Sequence, residues 1–248
     1  MDIELRNLSL TISKNRILND ISANFFHSSI TGILGENGSG KSSLLKCMAG
    51  LVTHAGSVTF SGVGKRKLGY VPQQPAIPIG MTVAEFILLG RTTHYNWYVG
   101  ETESDFNICR EAINDVSLTN YAGRYVDTLS GGEMQRAVLA RAIAQEANIL
   151  ILDEPTSALD LKGQIEVFSL LLQLQKKFNL TIIIALHDLN AAINFTNYIL
   201  FLKKGSLVRA GKTNSIMTSD NLSDLYGVPV EVVSSLEGEK LIVSRYKS

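Results

Sequence analysis

The sequence has no excess of charge of either sign. Lysine and arginine together number 23, and aspartate and glutamate also number 23, so the formal net charge is 0. A chain without a positive field is a poor candidate for wrapping nucleic acid or for binding an anionic membrane by long-range attraction. We therefore expect no nucleic-acid partner.

Cysteine is also scarce. The two cysteines among 248 residues, Cys47 and Cys109, form no CxxC pair and lack the spacing of a metal site. Such cysteines are typical of reduced thiols in a cytosolic protein and not of a disulfide-stabilised secreted domain. His27, His54 and His94 do not join them in a cluster, so we expect no metal centre of these residue types.

Long apolar runs are missing too. The longest clear run, IIIAL at 182–186, is much shorter than the ~20 residues that a membrane-spanning helix needs. The opening stretch MDIELRNLSL has no basic segment followed by an apolar one, so it does not resemble a signal peptide. We expect a chain that does not cross a bilayer by itself.

Two kinds of strand pattern are present. Residues 3–12 alternate apolar and polar side chains, with an irregularity between Leu5 and Leu8, and this predicts a half-buried strand. Further short strands are predicted at 17–25 and 56–60. Together they indicate an antiparallel sheet in the opening third of the chain.

Three other runs are continuously apolar, which is typical of parallel strands covered by helices on both faces. They are TGILG (31–35), NILILD (148–153) and TIIIALH (181–187). Each leads to polar residues at the carboxyl edge of the predicted sheet. Ligands of open α/β sheets bind at that edge. Helical patterns follow the first two runs, at 41–51 and 161–178.

The segment between the first two apolar runs includes a long helical pattern. Residues 80–147 have apolar positions at helical spacing and no strong strand signal. We predict one α/β domain over 1–248 with a mainly parallel sheet and an N-terminal antiparallel part. A helical subdomain at about 80–147 is inserted between core segments at about 1–79 and 148–248.

The stretch GENGSGKSS at 35–43 matches the pattern G-x-x-x-x-G-K-[ST] and lies between a predicted strand and a predicted helix. Its glycines let backbone N–H groups turn inward on phosphate oxygens, and the helix adds the positive end of its dipole. We expect Lys41 to hold β- and γ-phosphates and Ser42 to ligate Mg²⁺, in a P-loop NTPase core. The predicted nucleotide-binding residues here are Gly35, Asn37, Gly38, Ser39, Gly40, Lys41, Ser42 and Ser43.

Two carboxylates follow the second buried strand directly. Asp153 is placed to hold magnesium through its oxygen shell, and Glu154 to polarise the attacking water as general base. For Glu154, a solvated residue capping the next helix is the alternative. His187 ends the third buried strand at the same predicted edge, and we expect it to contact the γ-phosphate.

A second glycine-bearing stretch, LSGGE at 129–133, opens another predicted helix. Ser130 is a good N-cap, and Glu133 stands three residues later, which is the spacing of a capping box. Gly131 and Gly132 expose the first N–H groups, which favours an anion site at the helix start. Taken alone the pattern is weak, because many helices begin in this way.

The order of these motifs resembles that of the ATP-binding-cassette family. The phosphate loop, YVPQ (70–73), LSGGE, ILILDE (149–154), SALD (157–160) and the histidine after the third strand follow the family's order over nearly the whole chain. The resemblance implies binding of ATP and Mg²⁺ and hydrolysis of ATP. It also implies two copies packed head to tail, so that the LSGGE loop of one closes over the nucleotide of the other.

The resemblance also implies roles for single residues. Gln73 is similar to the residue that touches Mg²⁺ and the attacking water and senses the membrane partner. The residues similar to those that reach the partner's nucleotide are Ser130, Gly131, Gly132, Glu133 and Asp160, the last of which couples the two sites. The family usually stacks an aromatic ring on adenine, and alignment puts Ile12 there, so the base selectivity is open.

Finer motifs resemble importer cassettes. VAEFILLGRTTH (83–94), HDLNAA (187–192) and LYGVPVEVV (225–233) are similar to cassettes that serve importers of ferric siderophores, haem and cobalamin. This implies a peripheral position at the cytoplasmic face of the cell membrane, with permease subunits as partners and a substrate-binding protein as an indirect one. Uptake of molybdate, or of zinc or manganese, is the alternative, followed by a soluble ATP-dependent switch without a transporter.

The permease is expected to dock on the insert at roughly 75–100, with Gln73 linking that surface to the nucleotide. Charge reversal or a bulky change near Phe86 or Arg91 is then expected to uncouple transport while the isolated cassette stays folded.

Overall fold

The computed structural model of the chain describes residues 3–61, 67–94, 100–235, 238 and 240–244, without the side chains of Thr93, His94 and Ser244. The chain divides into two compact units. The first comprises Met1–Gly64 and Thr181–Ser248, and the second comprises Lys65–Leu180.

Strands and helices occur throughout the described chain. The strands are β1 (Ile3–Ile12), β2 (Asn15–Phe25), β3 (Ile30–Leu34), β4 (Ala55–Phe60), β5 (Leu68–Val71), β6 (Ile149–Asp153), β7 (Thr181–Ala185), β8 (Tyr198–Lys203), β9 (Ser206–Lys212), β10 (Val230–Ser234) and β11 (Lys240–Ser244). The helices are α1 (Lys41–Met48), α2 (Val83–Leu88), α3 (Glu103–Asp115), α4 (Gly131–Ala144), α5 (Leu161–Phe178), α6 (Leu189–Phe195), α7 (Thr213–Ile216) and α8 (Ser219–Tyr226). Short 3₁₀ turns lie at Leu89–His94, Thr119–Tyr121 and Val126–Thr128.

The first unit contains antiparallel and mainly parallel sheets. β1 pairs antiparallel with β2 and with β4, and its register with β2 shifts between Leu5 and Leu8, where the sequence predicted an irregularity. β3 pairs parallel with β7 and with β8, while β9 runs antiparallel to β8. β10 and β11 form a separate antiparallel hairpin. The predicted antiparallel sheet in the opening third is confirmed.

The buried strands of both units follow from their composition. All five residues of β3, β6 and β7 are buried, as continuous apolar runs predict for strands covered on both faces. In the second unit β5 and β6 pair in parallel. The predicted α/β class, with a mainly parallel sheet, an antiparallel part and helices, is confirmed.

The second unit carries the long helices. α5 spans the predicted 161–178, and its buried face includes Val167, Leu171 and Leu174 at helical spacing. Helices α2, α3 and α4 lie between residues 80 and 147, where the sequence predicted a helical insert. The boundaries of that insert as a subdomain stay a prediction.

The expectation that changes near Phe86 or Arg91 leave the isolated cassette folded is wrong, because both side chains are buried. Phe86 is fully buried, and the guanidinium carbon of Arg141 lies 4.5 Å from the centre of its ring. Arg91 is 5% exposed; its Nε donates to Asp105 Oδ1 at 2.9 Å and its Nη1 to Glu146 Oε2 at 3.0 Å. Breaking a buried ion pair such as Arg91–Asp105 costs about 3–5 kcal/mol, so changes here would destabilise the isolated chain.

Candidate functional site

The phosphate loop connects β3 to α1 in the first unit. Gly40, the N-cap of α1, has a φ of 103°, a left-handed conformation that favours glycine. Because glycine has no side chain, it offers no side-chain cap to the first N–H groups of α1. At Gly35, a Cβ atom would lie 2.1 Å from the main-chain oxygen of Leu202, so only glycine fits. These two positions fix a tight loop at the start of a helix.

Lys41 begins α1 and is 4% exposed. Its Nζ donates to the main-chain oxygens of Gly35 at 3.0 Å and Glu36 at 3.3 Å. The Oγ of Ser39 is also buried, and it has no hydrogen-bond partner among the residues that the structure describes. A buried cation needs acceptor oxygens around it, and a buried hydroxyl needs a partner. Both requirements fit an anion with several oxygens.

The other predicted residues of this loop lie close by in the chain. Asn37 and Gly38 are exposed, while Ser42 and Ser43 are half-buried in the first turn of α1. A hydroxyl oxygen at such a position is a ligand type that Mg²⁺ accepts. The loop residues therefore form one continuous candidate site for phosphate, and their individual contacts with ATP stay predictions.

The acidic pair lies at the end of β6 in the second unit, and both carboxylates are buried. Tyr70 Oη donates to Asp153 Oδ2 at 3.4 Å, and Gln73 Nε2 donates to Glu154 Oε2 at 2.9 Å. Burial raises the pKa of Tyr70, and the charge of Asp153 raises it further. The phenol therefore stays protonated and can donate a hydrogen bond. The predicted general base and the predicted sensor are therefore in direct contact.

The backbone at Glu154 is unusual. Its φ is 50°, in the left-handed region that residues other than glycine rarely adopt. Such a conformation costs on the order of 1 kcal/mol and is concentrated at functional sites. It follows directly after Asp153, so the chain turns sharply between the two carboxylates.

The LSGGE loop opens α4 with the predicted capping box. Ser130 Oγ accepts from the N–H of Glu133 at 3.4 Å, and Glu133 Oε2 accepts from the N–H of Ser130 at 2.8 Å. The bond from the Ser130 backbone, with a further one from the Tyr121 hydroxyl, lowers the pKa of Glu133. Gly131 is exposed and Gly132 half-buried. The start of α4 is thus a glycine-bearing helix start that is closed by two reciprocal hydrogen bonds.

Main-chain bonds hold the segment before this loop against the start of α2. The N–H of Val126 donates to the oxygen of Met81, and the N–H of Val83 donates to the oxygen of Arg124, both at 2.9 Å. The Arg124 guanidinium donates to the oxygen of Thr128 at 2.6 Å. The segment after Gln73 and the segment before LSGGE are therefore joined within the second unit.

The remaining predicted residues stand at element ends. Asp160 caps α5 by accepting from the N–H of Gly163 at 2.9 Å. His187 is exposed and lies two residues after β7. Ile12 ends β1 and is 49% exposed, so it can meet a ligand. A contact of any of these three with nucleotide stays a prediction.

Comparison with known proteins decides the family. Residues 18–157 match the family model described as ABC transporter, and this range includes the phosphate loop, the LSGGE loop and the acidic pair. The chain belongs to the ABC transporter family.

Two relatives with assigned names illustrate the range of this family. The iron(3+)-hydroxamate import ATP-binding protein FhuC of Bacillus subtilis is 35% identical over 240 residues, which cover 93% of this chain and 89% of that protein. The molybdate import ATP-binding protein MolC of Haemophilus influenzae is 37% identical over 202 residues, covering 81% and 78%.

Solved structures agree with the fold. An inward-facing metal-chelate type ABC transporter superposes with a TM-score of 0.90 at 32% identity, covering 99% of this chain and 98% of that one. A dimeric bacterial ABC transporter cassette superposes with a TM-score of 0.72 at 26% identity, covering 85% and 98%.

As a member of the ABC transporter family, the chain is an ATP-binding cassette that hydrolyses ATP, and this hydrolysis is coupled to transport. Within the described ranges, no helix is both long and apolar enough to span a membrane. Nor do the described residues contain a group of three or more histidine, cysteine, aspartate or glutamate side chains that could hold a metal ion.

Sequence reasoning missed Tyr70. This residue lies opposite Ile151 in the parallel register of β5 and β6, two positions before Asp153 on the neighbouring strand. The sequence feature that could have identified Tyr70 is its place in a short predicted strand, three residues before Gln73. Its donor bond to Asp153 makes it a candidate for orienting that carboxylate.

Proposed function

We propose that the chain powers uptake of an iron chelate, haem or cobalamin as the ATPase of an importer. It acts as a head-to-tail dimer, bound peripherally to permease subunits at the cytoplasmic face of the membrane, and a substrate-binding protein delivers the cargo to the permease. The relative named for iron(3+)-hydroxamate import and the metal-chelate type transporter support this substrate class. The dimeric cassette supports the pairing.

The phosphate loop supplies the first half of the proposed site. Lys41 and the N–H groups at the start of α1 bind the β- and γ-phosphates, which provide acceptors for Lys41 and Ser39. Ser42 and Asp153, together with Gln73, would hold Mg²⁺, which neutralises charge that develops on the phosphates. Ile12 covers the adenine by apolar contact only.

One observation carries the mechanism: Gln73 donates to the carboxylate of Glu154 at 2.9 Å. Glu154 takes a proton from water as the water oxygen bonds to the γ-phosphorus. The bond from that phosphorus to the oxygen of ADP breaks, which releases phosphate. His187 contacts the γ-phosphate. Gln73 connects the base to the docking surface, so a permease that moves Gln73 changes the position of the base.

The second half of the site comes from the partner subunit in the proposed dimer. The serine, two glycines and glutamate of the LSGGE loop approach the γ-phosphate held by the other copy, and Asp160 couples the two sites. Mixing Lys41→Ala chains with Ser130→Arg chains tests this arrangement. Shared sites predict recovery of some ATP-driven closure, because one site of the mixed dimer keeps both intact halves. Self-sufficient chains would recover nothing.

Glu154→Gln tests the chemistry. The variant should bind ATP as the wild type does and lose hydrolysis on the order of 10²-fold or more, because only the base is removed. It should accumulate as an ATP-bound dimer, measured by size-exclusion chromatography with ATP. Glu111→Gln, the same change at an exposed residue of α3, is the matched control. Normal steady-state turnover by Glu154→Gln would defeat the assignment.

Exposed apolar residues near α2 offer a test of docking that avoids the core. Ile79 is 90% exposed and Leu89 is 40% exposed. Ile79→Asp should reduce transport per ATP hydrolysed while the thermal midpoint of the isolated chain stays unchanged. A cysteine at 79 or 89 that never crosslinks to a permease would count against docking here.

Molybdate is the second candidate substrate, favoured by the relative named for molybdate import. The chain reconstituted with its permease should increase its ATP hydrolysis when the binding protein carries a ferric chelate. Stimulation by molybdate alone would select the second candidate. Failure to co-purify with any polytopic membrane protein would instead favour an ATP-dependent switch without a transporter.

A further inference from the structure

Side chains fasten the C-terminal hairpin of β10 and β11 to two helices. Val232 and Ile242 lie directly opposite each other. The N–H of Val232 donates to Ser219 Oγ at 2.9 Å, and the N–H of Ile242 donates to Asn190 Oδ1 at 2.7 Å. Opposed residues of an antiparallel pair exchange both bonds or neither. These two therefore form a non-hydrogen-bonded pair whose main-chain groups face outward.

Asn190 closes the outer edge of β11 at two points. Besides accepting from the N–H of Ile242, its Nδ2 donates to the oxygen of the same residue at 3.3 Å. The side-chain amide thus takes the place that a neighbouring strand would take. Free strand edges are otherwise prone to pairing with other chains.

The same residue lies in the first turn of α6. This helix has seven residues, which is too short to be stable without tertiary support. Asp188, its N-cap, accepts from the N–H groups of Asn190 at 2.8 Å and Ala191 at 3.1 Å. His187 immediately precedes that cap and is exposed. The bond to β11 is therefore a tertiary anchor for the turn that carries His187.

We propose that Asn190 is a positioning residue for ATP hydrolysis. By bonding to β11 it holds the first turn of α6 in place and thereby orients His187 toward the γ-phosphate. The inference rests on the role of His187 in the proposed function. It makes the C-terminal hairpin a part of the hydrolytic apparatus, although neither the hairpin nor Asn190 touches ATP.

A double-mutant cycle on the full-length chain tests this inference. Asn190→Ala should lower kcat on the order of 10-fold, because a small displacement of a reacting group is costly, while the Kd for ATP stays within about two-fold. In a His187→Ala background the same change should have almost no further effect, because residues that act as a unit are not additive.

A matched pair of isosteric variants separates this role from general disturbance of α6. Asn190→Asp places a carboxylate oxygen against the main-chain oxygen of Ile242 and should reduce kcat at least as much as Asn190→Ala. Asn194→Asp is the same change one turn later, at an exposed residue whose side-chain amide donates within the helix, to the oxygen of Asn190. It should leave kcat unchanged.

The bond can also be broken from the other side. Ile242→Pro removes the donor to Asn190 while the ladder bonds of the hairpin stay, since this N–H faces outward. It should reproduce the loss seen for Asn190→Ala, and it serves as the test if the Asn190 variants do not fold, as judged by thermal melting.

The outcomes separate the inference from the proposed function. Unchanged kcat in Asn190→Ala, or an equal loss with and without His187, would overturn the positioning role while a slow His187→Ala variant keeps the proposed function intact. Wild-type turnover by His187→Ala would overturn the γ-phosphate role of His187, and the positioning role with it.

Discussion

Two helix starts in this molecule are built in opposite ways. α1 begins after Gly40, which has no side chain to cap the first N–H groups. α4 begins after Ser130, which forms a reciprocal capping box with Glu133. A helix start whose N–H groups have no side-chain cap is available to a ligand. The box at the start of α4 bonds the N–H groups of Ser130 and Glu133, and those of Gly131 and Gly132 are not part of it.

The contrast extends beyond this pair. In the second unit α2 and α3 also begin with capping boxes, formed by Thr82 with Glu85 and by Thr102 with Asp105. Each box satisfies N–H groups within the chain itself. The difference teaches that the first N–H groups of α1 have no side-chain cap and can accept a ligand, whereas α2, α3 and α4 carry their own side-chain caps.

The largest effect is expected at Lys41. Lys41→Ala should weaken ATP binding on the order of 10²-fold, because a charge-assisted contact with phosphate is lost at a helix start without a side-chain cap. Nucleotide titration measures the loss. Lys46→Ala, at the exposed end of the same helix, should bind ATP normally. Equal affinities for the two variants would show that α1 is not a phosphate site.

The second-largest effect tests whether Ser130 only caps α4 or also contacts the nucleotide of the partner subunit. Ser130→Ala and Thr82→Ala should each reduce the free energy of unfolding by about 1 kcal/mol, as loss of a cap does. Only Ser130→Ala should also slow hydrolysis by the assembled dimer, since α4 faces a nucleotide in the proposed arrangement and α2 does not. Denaturant titration and ATPase assays measure the two effects. Equal hydrolysis by both variants would show that the LSGGE loop caps α4 but does not contribute to ATP hydrolysis.

A smaller increase in ATP affinity is expected from a change at Ile12, the residue that we propose covers the adenine base. Ile12→Tyr should tighten ATP binding by up to about 1 kcal/mol, roughly five-fold, because a ring stacks on adenine and an aliphatic side chain does not. Maximal hydrolysis should change little, since base contacts are alike in ground and transition states. The wild type should bind ATP and GTP similarly. A strong ATP preference in the wild type would mean that another residue covers the base.

The smallest effect concerns the charge of Glu133. Glu133→Gln keeps an acceptor for the capping box, so stability near pH 7 should change by only a few tenths of a kcal/mol. The bond from the Ser130 backbone lowers the pKa of Glu133. Its stabilising contribution is therefore present above the ordinary glutamate pKa near 4.3 and is lost as the pH falls below that value. Thermal melting should show that the melting temperature of the variant decreases less than that of the wild type as the pH falls. Equal decreases would contradict a stabilising role for the charge of Glu133.

Sequence patterns predicted those structural features that depend on interactions between residues close together in the chain. Continuous apolar runs identified β3, β6 and β7, the helical pattern gave α5 its observed ends, and the S-x-x-E spacing gave the capping box of α4. Each of these features depends on neighbours within a few residues.

Other contacts could not be read from the sequence. The bond between Gln73 and Glu154 joins residues 81 apart, and that between Asn190 and Ile242 joins residues 52 apart. Both depend on strand register and on the turns that follow the strands. The buried state of Arg91 likewise depends on Asp105 and on Glu146, which lies 55 residues away.

The link between the segments around Met81 and Val126 has an evolutionary consequence. It consists of main-chain carbonyl groups, which every residue supplies, and N–H groups, which every residue other than proline supplies. Side chains at these positions can drift without erasing it, so an alignment of relatives would show no conserved pair to reveal it. Proline at 83 or 126 is the substitution that selection should exclude, and its rarity there would be the only trace that the link leaves in a sequence record.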